Sequence, residues 1–299
     1  MRRPRRFGVR GASVWVLVVL LIAVGVAVSA RAPDTVPPPP APPALRVVTY
    51  NIRAGLGGVE HVAEDLRALS PDLVALQEVE RGIARSRSQD QAGQIGAALG
   101  LESAFAGSFE VEHGGEHGIA ILSRWPIGET ETFELPRGDG RWPRVALLAR
   151  IDTPDGPIRF VCVHLARPWG WPLSNTKTRL EQIHALREHL EPETLPLIFA
   201  GDLNSLPWSP EGFSLARDLE QSWHPWRDGW GTSFPLSAIG LRGAVKIDHI
   251  LHDEQWASLG SWVATPGASD HRAVVADLVR LSREDQERPG APPALLPGG

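Results

Sequence analysis

Nine short apolar runs, separated by helical and turn-rich stretches, constrain this chain more than any other feature of its sequence. They fall at 45–52, 73–79, 118–122, 145–151, 158–165, 195–200, 246–252, 262–264 and 273–279. Short apolar runs bounded by turn residues read as buried strands. Between them, apolar residues recur at helical spacing over 59–69 (Val59, Val62, Leu66, Leu69), 91–99 and 176–190 (Leu180, Ile183, Leu186, Leu190). No internal repeat and no second proline-rich linker divides this stretch, so residues 45–281 are expected to form one domain.

The runs stop on polar residues. Asn51 follows Tyr50, Gln77 and Glu78 follow Leu76, and His164 follows Val163. Gly201 breaks the sixth run just before Asp202 and Asn204, Asp248 and His249 interrupt the seventh, and Ser269-Asp270-His271 precedes the last. In an extended chain Asp202 and Asn204 lie on one side. Each feature alone admits a plain account: an Asx turn at Asp202, a turn cap at Asn51, a hydrogen-bonded core imidazole at His164, an arginine's partner at Glu78. Together they supply carboxylates, amides and imidazoles in proportions that suit one reaction. Oxygen ligands favour a hard cation such as Mg²⁺, Mn²⁺ or Ca²⁺, and histidines with carboxylate partners exchange protons. That is equipment for attacking a phosphate ester.

Charge is unevenly distributed. The net charge is −5, but residues 1–31 carry six arginines and no acid, so the remainder stands at −11. An acidic remainder lacks the global basic charge of a non-specific nucleic-acid binder. Cys162 is the only cysteine, which excludes an intrachain disulfide and Cys₂His₂ or Cys₄ zinc sites. Residues 11–30 carry no charge; about 20 apolar residues span a bilayer, whereas a secretory apolar region usually runs about 7–15. With the arginines in front, residues 1–31 are expected to be a transmembrane signal anchor that leaves the main domain on the extracytoplasmic side. The alternative is cleavage at Val28-Ser29-Ala30 and secretion; Arg5-Arg6-Phe7 only faintly suggests a twin-arginine signal. Residues 32–44, rich in proline, read as a semi-rigid spacer, and 282–299 as a disordered tail.

The ordered set Thr-Tyr-Asn-Ile-Arg (49–53), Leu-Gln-Glu-Val (76–79), Gly-Ile-Ala-Ile-Leu-Ser-Arg (118–124), Val-His-Leu (163–165), Gly-Asp-Leu-Asn (201–204), Ile-Asp-His-Ile (247–250) and Ser-Asp-His-Arg (269–272) resembles the endonuclease/exonuclease/phosphatase superfamily. Pancreatic-type deoxyribonucleases, abasic-site endonucleases, inositol polyphosphate 5-phosphatases and neutral sphingomyelinases belong to it. The resemblance implies an α/β fold, a four-layer sandwich of two mixed β-sheets packed face to face with helices outside. It implies a divalent-metal-dependent phosphoester hydrolase that uses an activated water. Glu78 matches the principal metal ligand, with Asn51 beside it and Asp270 as an additional metal or metal-water contact. Asp202 matches the residue that activates the water and Asn204 the amide that orients it. His271 with Asp248 matches the second proton-handling pair, and His164 the phosphate-contacting histidine; which group is the general base stays open.

This chain departs from the pattern at His117, which stands where the family often has a phosphate-contacting tyrosine, and it is carried as a substrate contact. Arg85 and Arg87, beside Asp90 and Gln91, can place a guanidinium on a phosphate. Arg179 and Gln182 resemble an Arg-x-x-Gln pattern of bacterial relatives, and Pro207-Trp208-Ser209-Pro210 a membrane-anchored bacterial group. Trp169 and Trp171 are candidates for stacking or for a bilayer interface. The expected substrate is a phosphoester of nucleic acid, phospholipid or inositol phosphate; no protein partner is evident. A secreted nuclease, a sphingomyelinase-like phospholipid-head-group phosphodiesterase and a catalytically silent envelope-anchored binding protein are the rival readings.

Overall fold

The computed structural model describes residues 44–111, 114–138, 142–168, 175–191, 194–229, 231–236 and 244–282. The expected anchor, all but the last residue of the spacer, all but the first residue of the tail, and Trp169 and Trp171 lie outside the described residues. Among the described residues no helix is long and apolar enough to cross a membrane.

The central strands are apolar throughout because both of their faces are covered. In β1 (Leu45–Asn51), Leu45 and Val47 point into a core between two sheets, while Val48 and Tyr50 point into a second core under helices. The first sheet has the order β13 (Trp256–Val263), β14 (Val274–Arg280), β1, β2 (Leu73–Arg81), β4 (Glu116–Ser123), β3 (Glu102–Glu110). The second runs β5 (Ile127–Leu135), β6 (Arg144–Thr153), β7 (Gly156–His164), β8 (Leu197–Asp202), β12 (Asp248–His252), β9 (Glu220–Gln221). A short ribbon of β10 (Phe234–Pro235) and β11 (Ala244–Val245) stands apart. Each sheet is mixed: β1/β2 and β7/β8 are parallel, and the other pairs are antiparallel.

Helices α1 (Val59–Leu69) and α2 (Gln91–Leu99) cover the first sheet, burying Val59, Val62, Leu66, Leu69 and Ile95. Helices α3 (Thr176–Leu190) and α4 (Pro210–Leu215) cover the second through Ile183, Leu186 and Leu215. A fifth, α5, is one turn (Pro225–Asp228). The layers are therefore helix, sheet, sheet, helix, an α/β sandwich. All three expected helices form over the expected residues. Five strands escape an apolar-run reading: the two-residue β9, β10 and β11, and the longer β3 and β5. These last two lie at sheet edges and carry charges such as Glu102, Glu110, Glu129 and Glu131, a composition that blocks edge-to-edge association.

One ion pair locks the first sheet. Arg46, 2% exposed, donates through Nε and Nη2 to the two carboxylate oxygens of its cross-strand neighbour Asp277 at 2.8 and 2.9 Å, and through Nη1 to Leu69 O. Removing one partner of a buried pair leaves the other charge uncompensated, so Asp277→Ala is expected to cost about 3–5 kcal/mol, read from the urea midpoint.

Both parallel pairs run toward the same edge of the sandwich. That edge gathers Asn51 at the end of β1, Glu78 in β2, His164 at the end of β7 and Asp202 at the end of β8. β12, antiparallel to β8, starts there at Asp248, and the β13–β14 loop brings Ser269 to His271.

Candidate active site

Strand register makes the first contacts. Asp202 lies directly opposite His164 on one side and Asp248 on the other. Gly201 allows this approach: a Cβ there would stand 2.1 Å from Val163 O, so any side chain would push β8 off β7. Glu78 is set by a different device. The register of β2 against β4 slips between Gln77 and Val79, leaving Glu78 as the extra residue of a bulge with φ 55°. Bulges re-aim side chains beside active sites, and a non-glycine residue at positive φ persists only where its surroundings hold it. Here they do: Gln91 accepts from Glu80 N through Oε1 at 2.8 Å and donates to Ala54 O through Nε2 at 2.8 Å.

Asn51, 1% exposed, joins the two halves of the site. Its Nδ2 donates to Glu78 Oε1 at 3.3 Å and to Asp202 Oδ2 at 3.1 Å, while its Oδ1 accepts from Arg53 N. Asn204, also at positive φ, orients Asp202 through its backbone N–H, 2.9 Å from Oδ1, and donates its side-chain amide to Leu165 O. His271 Nδ1 lies 3.0 Å from Asp248 Oδ2, and its Nε2 lies 3.8 Å from Asp202 Oδ2. Asp270 faces Arg53 Nε at 3.3 Å, and Ser269 Oγ ties the loop to Asn51 O.

Burial and charge divide the proton-handling groups. Burial alone would depress His271, but the Asp248 carboxylate outweighs it and, with Asp202, lifts the imidazole to about 10; His271 is a cation at neutral pH. Burial, and then the Asp248 charge, push Asp202 up to about 7. His164 is driven well below its ordinary value by burial and by the Arg144 guanidinium, so it is neutral. Arg144 Nη1 lies 3.1 Å from His164 Nδ1. Arginine can only donate, so Nδ1 is the acceptor and the ring proton sits on Nε2, which faces Asp202 Oδ2 at 3.4 Å.

The donor set suits a hard cation. Among the described residues the half-buried Glu78 carboxylate receives one hydrogen bond, from Asn51, and has no ion-pair partner. Asp202, Asp248 and His271 also bring ligand atoms within 4.8 Å of one another. That trio is two carboxylates balanced by one imidazolium, and His271 would have to lose its proton to ligate. Glu78 is the uncompensated group, with Asp270 on the neighbouring loop.

His117 is buried beside Glu80, Nδ1 to Oε1 3.6 Å, and Phe109 packs between it and the Trp142 ring. The arginine that reaches the Glu80 carboxylate is Arg85, not Arg87, which is exposed on the same turn. Arg179, carried as a substrate contact, is held within the protein. It is 2% exposed, and its guanidinium donates to Glu211 Oε1, Ala166 O and Thr176 Oγ1; with Gln182, which donates to Pro136 O and accepts from Ala166 N, it braces the loop after His164. Arg144 and Arg53 escape sequence reasoning because neither ends an apolar run on a carboxylate or imidazole.

His249, adjoining Asp248, points away from the cleft and bonds Ser205 O at 2.9 Å through Nε2. Burial and Lys246 depress it to about 3. A histidine depressed in the fold contributes stability above its unfolded value of about 6.5, lost as pH falls toward 3; at pH 5 the loss is ~2 kcal/mol. His249→Gln is expected to flatten the decline in urea midpoint between pH 7 and 5.

The layered sandwich, with its polar strand ends converging at one edge, defines the class. The chain belongs to the Endonuclease/Exonuclease/phosphatase family, whose model matches residues 48–271. A structure of that description from Beutenbergia cavernae superposes with TM-score 0.65 at 22% identity, covering 81% of this chain and 76% of that one. A mannosyl-6-phosphatase from Bacteroides thetaiotaomicron gives TM-score 0.63 at 20% identity (79% of this chain, 99% of that). The catalytic domain of human nocturnin, solved with a bound sulfate, gives 0.62 at 20% identity (80% and 94%). No curated protein matches in sequence.

Proposed function

We propose that this chain is a divalent-metal-dependent hydrolase of phosphate esters that works by in-line attack of water, held by residues 11–30 at the extracytoplasmic face of a membrane. The observation that carries the reading is the single amide of Asn51, which bridges the cation-seeking Glu78 and the buried Asp202. Glu78, with Asn51 and Asp270, would hold a Mg²⁺ or Mn²⁺ ion, which as a Lewis acid neutralises developing negative charge on the ester. Asp202 takes the proton of the attacking water, its affinity raised toward neutrality by burial and oriented by Asn204 N and Asn51. His271, kept protonated by Asp248, stabilises the charge that develops beside Asp202. Neutral His164 offers its Nε2–H in the same space. The fold likeness to a mannosyl-6-phosphatase and to nocturnin supports phosphoester chemistry without choosing among substrates. The charge run before residues 11–30 supports the anchored location.

The test is a panel of linear DNA, RNA, sphingomyelin, phosphatidylinositol phosphates and hexose 6-phosphates, run on the full chain in detergent with Mg²⁺, with EDTA and as Glu78→Ala. Turnover of at least one substrate that EDTA and Glu78→Ala abolish is expected. Equal rates in all three conditions would end the reading; metal binding without turnover across the panel would favour a silent binding protein.

A further inference from the structure

Helix α1 buries Val62, Leu66 and Leu69 against the first sheet, and a carboxylate stands in that apolar stripe. Asp65 follows Val62 by three residues and precedes Leu69 by four, spacings that place all three on one face. A polar group on an apolar face is costly unless it is hydrogen-bonded, and the packing of α1 needs no acid there. Among the described residues the partners of Asp65 are two neutral donors rather than a cation, and both meet one oxygen. The Tyr50 hydroxyl donates to Oδ2 at 3.0 Å, and Ala268 N donates to the same atom at 2.8 Å.

Each donor belongs to an element that carries site residues. Tyr50, 1% exposed, precedes Asn51 at the end of β1. Ala268 lies in the β13–β14 loop, 203 residues from Asp65 in sequence and just ahead of Ser269, Asp270 and His271. From there the contacts run on: Ser269 Oγ donates to Asn51 O at 2.7 Å and accepts from His271 N at 3.2 Å. The loop lies tight against the domain on both sides of its bond to Asp65. A Cβ on Gly267 would stand 2.1 Å from Asp65 Oδ2, and one on Gly57 would stand 1.8 Å from Ala268 O. Loops are the mobile parts of a fold, whereas a reacting constellation has to be held within about 0.5 Å. Asp65 fastens this loop to a helix, and a carboxylate acceptor makes that backbone hydrogen bond about twice as strong as a neutral one would.

Resting on the phosphoester reading above, we propose that Asp65 is a positioning residue: by holding Ala268 N and the Tyr50 hydroxyl on one oxygen, it fixes the loop that presents Asp270 and His271 to the site. Asp65 itself touches neither ester nor cation. Its influence passes through the loop, so it governs how well a metal is held and how fast an ester turns over. Ester affinity is left nearly unchanged, because the histidines carried as phosphate contacts, His117 and His164, stand on β4 and β7.

The test uses the full-length protein in detergent, with Mn²⁺ binding followed by electron paramagnetic resonance and bis(p-nitrophenyl) phosphate and p-nitrophenyl phosphate as substrates. Asp65→Leu keeps the volume and removes the shared acceptor. It is expected to weaken Mn²⁺ binding and lower kcat, each roughly 10–100-fold, with KM moving less than about twofold. Asp65→Asn, whose Oδ1 accepts from the same two donors, should recover most of both. Asp65→Leu also strands the buried Tyr50 hydroxyl, and a buried hydroxyl without a partner destabilises the fold. Adding Tyr50→Phe should therefore restore most of the melting temperature lost in Asp65→Leu while restoring neither Mn²⁺ affinity nor kcat. That split separates a misplaced loop from a weakened fold. The inference is overturned if Asp65→Leu binds Mn²⁺ and turns over as the unmodified protein does, or if its losses return with Tyr50→Phe. It is equally overturned if the loss falls on KM, if Asp65→Asn is as impaired as Asp65→Leu, or if the unmodified protein binds no Mn²⁺. If the unmodified protein binds Mn²⁺ but hydrolyses neither ester, the phosphoester reading fails by itself, and the Mn²⁺ titrations still decide the role of Asp65.

Discussion

Glu78→Gln is expected to lower kcat by about three orders of magnitude, the equivalent of the several kcal/mol that a Lewis-acid cation supplies, and to do so without unfolding the protein. The side chain sits on a bulge at φ 55°, and its carboxylate has one hydrogen bond and no ion pair among the described residues. Glutamine keeps the acceptor for Asn51 Nδ2 and removes only the charge. In metal-free buffer the variant should therefore melt at or above the unmodified protein, since nothing that offsets the charge is lost. Added Mg²⁺ or Mn²⁺ separates the two. A ligand that binds only the folded state stabilises it by ~2.7 kcal/mol at 100-fold excess over its Kd, so the unmodified protein should show a clear rise in melting temperature and Glu78→Gln little or none. Equal metal-induced shifts in the two proteins would move the cation to the Asp202, Asp248 and His271 group.

What the sequence reveals depends on how each side chain is held. Asn51, Glu78, His164, Asp202, Asp248, Asp270 and His271 interrupt or follow apolar runs, and a polar residue in an apolar strand is a conspicuous pattern; the fold brings all seven to one edge. The three covering helices are equally legible because their buried positions recur at helical spacing. Edge strands β3 and β5 are not, since an exposed, charged strand carries no apolar run. Arg144 hides for a related reason. Sequence patterns give no sign that a guanidinium at a strand's start is buried, still less that no carboxylate meets it. Arg179 is the converse: its local pattern suggests a ligand contact, and the partner that holds it in the fold, Glu211, lies 32 residues away where no local pattern reveals it. The Glu78 bulge is likewise invisible, because a slip of one residue between β2 and β4 is decided by both strands together.

Asp202→Asn is expected to lower kcat on the order of 10³-fold, through loss of basicity rather than of shape. Asparagine fits the same space and can accept from Asn204 N through Oδ1, as the carboxylate does now, though its Nδ2 cannot accept from Asn51 as Oδ2 does. What it cannot do is take a proton. Asp202 is pushed up to about 7 by burial and by Asp248, so in the unmodified protein the rate should rise with pH as the carboxylate ionises around neutrality. That rise should vanish in Asp202→Asn. Stability should move in the opposite sense. A carboxyl whose folded value lies above its unfolded one makes the fold lose stability as pH increases from the unfolded to the folded value. Asp202→Asn should therefore be more stable than the unmodified protein at pH 8, and the advantage should shrink toward pH 4. Loss of activity with a gain in stability is the mark of a charge kept for chemistry. Asp248→Asn should differ on both counts: it removes the partner that keeps His271 protonated, so it should cost stability at neutral pH and bring the imidazole back toward its ordinary range. A loss of stability at pH 8 in Asp202→Asn, with the rise in rate retained, would transfer the base role from Asp202 to the His271–Asp248 pair.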